Sequence, residues 1–166
     1  MQLFMVYLGG RVSGCHIEMH DVRFVIGEKI EDCYQKLKAQ WVGDNAAVHM
    51  DSYVAISHVD GYEVSLVKEQ PAQTQKLYFV NMGAYVPERL AEQHDFALFV
   101  AQNEYEAKEK AKQQLLNGMS HLHKDNLHDV DDCFAIDLLD EQYFIALKPS
   151  GKNQDLSPDW FGYHIL

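Results

Sequence analysis

Short apolar runs alternate with polar breaks along the chain, and the first 67 residues show each kind of pattern it uses. Residues 3–8, LFMVYL, form an apolar run closed by Gly9-Gly10, short enough for a buried strand. Residues 20–26, HDVRFVI, place Val22, Phe24 and Ile26 on one face, as a period of two requires. Ile30, Tyr34, Leu37 and Trp41 then recur at spacings of four, three and four, which predicts a helix over 30–42 stopped by Gly43. YVAISHV and YEVSLV flank Asp60-Gly61, a pair suited to a two-residue hairpin turn with positive φ. The pattern predicts a ββαββ unit.

The unit is written twice. Displacing the chain by 74 positions lays 2–52 on 76–126 without a gap and gives 12 identities in 51 positions, where composition alone gives roughly three. The matches include Leu3/Leu77, Val6/Val80, Gly9/Gly83, Val12/Val86, Glu18/Glu92, His20/His94, Asp21/Asp95, His49/His123 and Asp51/Asp125. The second unit reads LYFVNMG, then FALFVA, then a helix over 104–117 opened by Asn103 with Glu106 in a capping-box position. Its inner face is lighter, with Ala107, Ala111 and Leu115. An insertion, LHDVDD, follows 126, and two strands joined through 140–142 complete the unit.

These readings predict an α+β fold of tandem ββαββ repeats with pseudo-two-fold symmetry, antiparallel sheets covered by one helix per repeat. The repeats are 1–67 and 76–148. The polar linker 68–75, KEQPAQTQ, is too short to separate independent domains, so the two sheets are expected to pair or stack. The tail 149–166 reads as loop, but Trp160, Phe161 and Tyr163 are expected to dock it on the core.

Composition narrows the partners. With 14 Lys+Arg against 25 Asp+Glu the formal charge is −11, which repels phosphate backbones and anionic lipid and argues against nucleic acid and membrane. Where carboxylates converge, the same surface favours cations. Cys15, Cys33 and Cys133 include no CxxC pair and read as reduced thiols of a cytosolic protein. The opening MQLFMVYLGG lacks a basic region and is too short an apolar run for a signal peptide or spanning helix.

Four residues stand out as candidate metal ligands. Glu18 and His20 are two apart, as are Glu92 and His94, so each pair shares a face of an extended segment. Related by a two-fold axis, the four could meet around zinc, iron or manganese. The structural alternative is that these residues cap strand entrances and were copied by duplication. His49 with Asp51, and His123 with Asp125, form a second repeated pair, suited to ligand binding, general-base work, or the fixing of a loop. Ser52 becomes Asn126, so no Ser-His-Asp set recurs. The acidic run HDVDDC, 128–133, lacks the spacing of a calcium loop and reads as a solvated bend. Gly9 and Gly10 open GGRVSG, a loose loop or a lid over a ligand, with no nucleotide-binding fingerprint.

Taken together, LFMVYLGG, IEMHDVRFVIG, HMDSY, LYFVNMGAY, EQHDFALFV, HKDN, VDDCFAI and WFGY resemble the bacterial family of Domain of Unknown Function 1543 over nearly the whole chain. The resemblance implies a small α+β domain, here in two copies, and carries no activity or catalytic residues. Gly83-Ala84 departs from the glycine pair of the first repeat, so if both glycines approach a ligand only the first repeat binds it. Two functions remain in view. One is a non-enzymatic module binding a small molecule or protein partner through the groove between repeats. The other is a metal-dependent enzyme using Glu18, His20, Glu92 and His94.

Overall fold

The computed structural model describes residues 1–85, 89–115 and 128–166. The fold is α+β, with antiparallel sheets and two short helices. Strand β1 (Gln2–Gly10) lies between β2 (Met19–Gly27) and β3 (His49–Ile56), and β6 (Lys76–Ala84) lies between β7 (Gln93–Ala101) and β8 (His128–Ala135). A third sheet has the order β4-β5-β10-β9, built from β4 (His58–Val59), β5 (Tyr62–Val67), β9 (Leu138–Leu139) and β10 (Tyr143–Pro149). The expected pairing of the sheets takes this form: β5 and β10, the last long strands of the two halves, hydrogen-bond to each other.

The alternation of residues explains the layers. Leu3, Met5, Ile26, Leu77, Phe79, Leu98 and Val100 point into a central core shared with Val64 and Ile145. Phe4, Val6, Leu8 and Val25 point the other way, onto Ile30, Leu37 and Trp41. On the second sheet Val80, Met82 and Phe99 pack on Ala107 and Ala111 of the longer helix, α2 (Glu104–Gln114). The small alanines let α2 lie close.

Several expectations need correction. The helix expected over 30–42 is a 3-10 turn, Ile30–Cys33, leading into α1 (Tyr34–Gln40). Trp41 already has extended backbone (φ −68°, ψ 137°), so the helix stops before Gly43. Its stripe nonetheless faces inward. The second helix opens as a capping arrangement: Glu106 N–H donates to Asn103 Oδ1 at 3.0 Å and Gln102 N–H to Glu106 Oε2 at 3.0 Å. It ends at Gln114, and 117 lies outside the described residues. YVAISHV is not one strand, because it changes sheet at Ser57: β3 pairs with β1, and β4 with β5. Asp60 (φ 49°) and Gly61 (φ 82°) do turn that hairpin with positive φ.

The run HDVDDC is a strand, not a bend, since β8 hydrogen-bonds along β6. The tail is likewise no loop at its end: β11 (Trp160–Ile165) adds to the edge of β3. Trp160 packs against the α1 side of the sheet, whereas Phe161 and Tyr163 stay exposed. Period two puts alternate residues of an edge strand outward, whatever their hydrophobicity. No helix among the described residues is long and apolar enough to cross a membrane.

Candidate metal centre

Gly9, near the end of β1, pairs with His20 on β2 and with His49 on β3. Directly opposed residues project from the same face, so the two imidazoles flank a bare backbone. A Cβ at Gly9 would stand 2.5 Å from His49 Nε2 and 3.0 Å from both Asp51 Oδ2 and His20 Cδ2. Glycine is what leaves the room. Asp51 arrives through a β-bulge: Tyr7 pairs with Ser52 and Leu8 with Met50, which makes Asp51 the extra residue and re-aims its side chain. Its Oδ1 lies 3.2 Å from His49 Nε2 and its Oδ2 3.3 Å from His20 Nε2. Glu18, one residue before β2, puts Oε1 3.7 Å from His49 Nε2. One ligand atom each from Glu18, His20 and His49 lies within 4.8 Å of the others, the set among the described residues that meets this condition.

The His49 side chain is only 2% exposed, and its Nδ1 lies 3.4 Å from the Ala47 carbonyl oxygen. Each ring nitrogen thus faces an oxygen acceptor, Nδ1 the Ala47 carbonyl and Nε2 the Asp51 carboxylate at 3.2 Å, and a metal at Nε2 would take the place of a hydrogen there. Around a tetrahedral centre with bonds of about 2.0–2.1 Å, donor atoms stand about 3.4 Å apart. The 3.7 Å between Glu18 Oε1 and His49 Nε2 is close to that value.

Tyr7 stacks on His20 with ring centroids 5.4 Å apart. Burial first, then the Asp51 and Asp21 carboxylates, push its phenol above the ordinary range, so it stays neutral. On the solvent side, Glu18 shares a cavity of about 130 Å³ with Arg11, Cys15, His16 and Ile17. The loop after Gly10 therefore borders the centre, while Gly10 itself, still in β1, serves packing: a Cβ there would come within 2.9 Å of Trp41 Cζ2.

The second half repeats the scaffold with different donors. His94 pairs with Gly83, its Nδ1 lies 3.0 Å from Asp131 Oδ2, and its Nε2 lies 3.9 Å from Glu92 Oε2. The two ring nitrogens thus face different carboxylates and do not aim at one point with them. Asn81 Nδ2 donates to Asp131 Oδ2 at 3.2 Å. The bulge recurs: Asn81 pairs with Asp132 and Met82 with Val130, leaving Asp131 as the extra residue. By register, then, the counterparts of His49 and Asp51 are Asp129 and Asp131, not His123 and Asp125, which lie outside the described residues. The inserted residues precede β8, where the ungapped comparison of sequences could not place them.

Of the sequence candidates, the fold brings Glu18 and His20 to His49 and Asp51, and brings Glu92 and His94 to Asp131. Each pair finds its partners within its own sheet. The Glu-x-His and His-x-Asp patterns, 29 residues apart between His20 and His49, meet because β2 and β3 both flank β1 at Gly9. Asp131 was hidden inside an acidic run. Asp21 and Asp95 do bond backbone locally, accepting from Val22 N–H at 2.8 Å and Phe96 N–H at 3.0 Å.

The model of a family described as Domain of Unknown Function (DUF1543) matches the chain twice, over residues 15–66 and 89–139. Among solved structures, the crystal structure of a protein Il1583 from Idiomarina loihiensis is similar. It shares 37% identity over 98% of this chain and 95% of that one, with a TM-score of 0.78. No curated protein matches the chain.

Proposed function

The chain belongs to the DUF1543 family as two tandem copies, and from the geometry of the first copy we propose that it is a metal-binding module. It holds a first-row divalent cation at Glu18, His20 and His49, with Asp51 joining the two histidines. Two imidazoles and a carboxylate suit zinc or iron rather than the oxygen-loving cations. The observation that carries this reading is the convergence of Glu18, His20 and the buried His49, one ligand atom each lying within 4.8 Å of the others.

Three protein donors leave a coordination position for an outside ligand. The centre lies beside the seam between the halves. Tyr7 stacks on His20 on one side and on Phe96 of β7, at 5.8 Å, on the other. A small-molecule ligand bound in the groove between repeats fits this placement, and binding rather than turnover is the reading it supports. A site shared by His20 and His94 is less well supported, because each pair already meets carboxylates of its own sheet.

The arrangement we propose for the whole is two ββαββ repeats about a pseudo-two-fold axis. Its support is reciprocal: orders β3-β1-β2 and β8-β6-β7, the joint β5–β10 pair, and matching contacts of Lys36 with Asp140 and Lys110 with Asp60.

Metal analysis of untagged protein, followed by zinc titration calorimetry, tests the reading. Stoichiometric zinc is expected, greatly weakened in His20→Ala and His49→Ala and unchanged in His94→Ala. No zinc binding by the wild type, or its loss in His94→Ala, would overturn it.

A further inference from the structure

Strand β11 pairs along β3, and the pairing breaks where the metal centre lies. Phe161 pairs with Ser52 and His164 with Met50, so Gly162 and Tyr163 stand opposite the bulged Asp51. The break lets the Tyr163 ring lie on the His49 imidazole, with centroids 4.2 Å apart and planes at 33°. Glycine is needed beside it: a Cβ at Gly162 would come within 2.9 Å of Trp160 Cζ2.

The strand is anchored on both sides of this break. Before it, Asp159 N–H donates to Tyr53 O at 2.9 Å and its Oδ2 accepts from Ala55 N–H at 2.7 Å. After it, Ile165 pairs with His49 itself, Leu166 N–H donates to Val48 O at 3.1 Å, and Lys38 Nζ donates to Leu166 O at 2.7 Å. Tyr163 is 66% exposed, so core packing does not account for its position. What it touches is the one histidine buried among the described residues.

We infer that Tyr163 is a positioning residue of the metal centre, and that cation binding is linked to the docking of the C-terminal strand β11. The inference rests on the metal reading above. A ligand histidine needs its ring plane fixed by a neighbour, and an aromatic face laid on it does so while excluding water. Linkage is reciprocal: if the docked strand favours the cation, the cation favours the docked strand by the same factor.

The test is hydrogen exchange of the amides of 160–166 in the wild-type protein with and without zinc, together with zinc affinity and the cobalt(II) absorption spectrum of Tyr163→Ala and Tyr163→Phe. Zinc should slow exchange along β11 in the wild type and leave it unchanged in His20→Ala. Tyr163→Ala should weaken zinc binding about 10–100-fold, as loss of an outer-sphere partner does, and shift the cobalt bands. Tyr163→Phe, which keeps the ring, should restore both. The exchange comparison stands even where a variant fails to fold, since it uses the intact chain. If the wild type binds zinc but β11 exchanges at the same rate with and without it, the linkage is wrong while the metal reading survives. If the wild type binds no zinc, the metal reading falls first.

Discussion

At the scale of single residues, the two glycines that close β1 do different work, and substitution separates them. Gly9→Ala drives a methyl group to within 2.5 Å of Nε2 of the buried His49. The expected result is loss of zinc binding and destabilisation of about 1–3 kcal/mol, measured by titration and by urea denaturation. Gly10→Ala presses instead on Trp41, so it should lower stability and leave zinc affinity alone. The cysteines also differ by place. Burial raises Cys33 and Cys133 from the usual 9.0 to about 11, while Cys15 is exposed. At pH 8, iodoacetamide followed by mass spectrometry should label Cys15 well before the other two. The sign of the pH effect follows. Below pH 9 the thiols are protonated in both folded and unfolded chains, and nothing is lost. Between pH 9 and about 11 the unfolded chain ionises first, so the denaturation midpoint should fall across that window.

At the scale of elements, the first helix is short, yet its stripe carries much of the packing on that side. Trp41 is 6% exposed and lies with Leu37 and Ile30 against Phe4, Val6 and Leu8. Trp41→Ala should cost about 3–5 kcal/mol, and a wild-type denaturation midpoint would show that the side chain does not pack there. The stripe was legible because burial at a helical spacing needs only residue type and interval. So were the strands β1, β2, β6 and β7, whose apolar runs and alternation leave no other period. What was not legible is where a strand gains an extra residue. The stretch HMDSY reads the same with or without a bulge, yet the bulge at Asp51 is what turns the carboxylate toward both histidines. The strand β8 was hidden for a related reason: its Asp131 and Asp132 resemble a solvated bend in composition, and only pairing with β6 gives them a register. The centre was therefore half visible. Its residue types stood out, but the grouping of Glu18 and His20 with His49 depends on which strands flank β1.

At the scale of the whole molecule, the halves are tied by more than the linker. Gln73 in that linker donates to Ile145 O at 3.1 Å and accepts from Leu147 N–H at 3.0 Å, which pins it along β10. Across the joint, Lys36 on α1 reaches Asp140 in the turn of the second half, and Lys110 on α2 reaches Asp60 in the turn of the first at 3.3 Å. Asp60 Oδ2 also accepts the Val100 N–H of β7 at 3.0 Å, so a turn of one half completes the edge of the other. In a chain of charge −11, these placements put two lysines where they hold the halves together. The central core belongs to both: Leu3, Met5, Ile26, Val54 and Ile56 of the first half close on Leu77, Phe79, Leu98 and Val100 of the second. Residues 1–67 alone would expose those side chains and the unpaired edge of β5, which is bonded to β10 in the whole chain. An exposed apolar sheet face beside an open strand edge favours association over a stable monomer. The isolated half should therefore either remain unfolded by circular dichroism or run as a dimer on gel filtration, with β5 pairing to its own copy. A folded, monomeric 1–67 fragment with a cooperative melting transition would refute the view that the central core needs both halves.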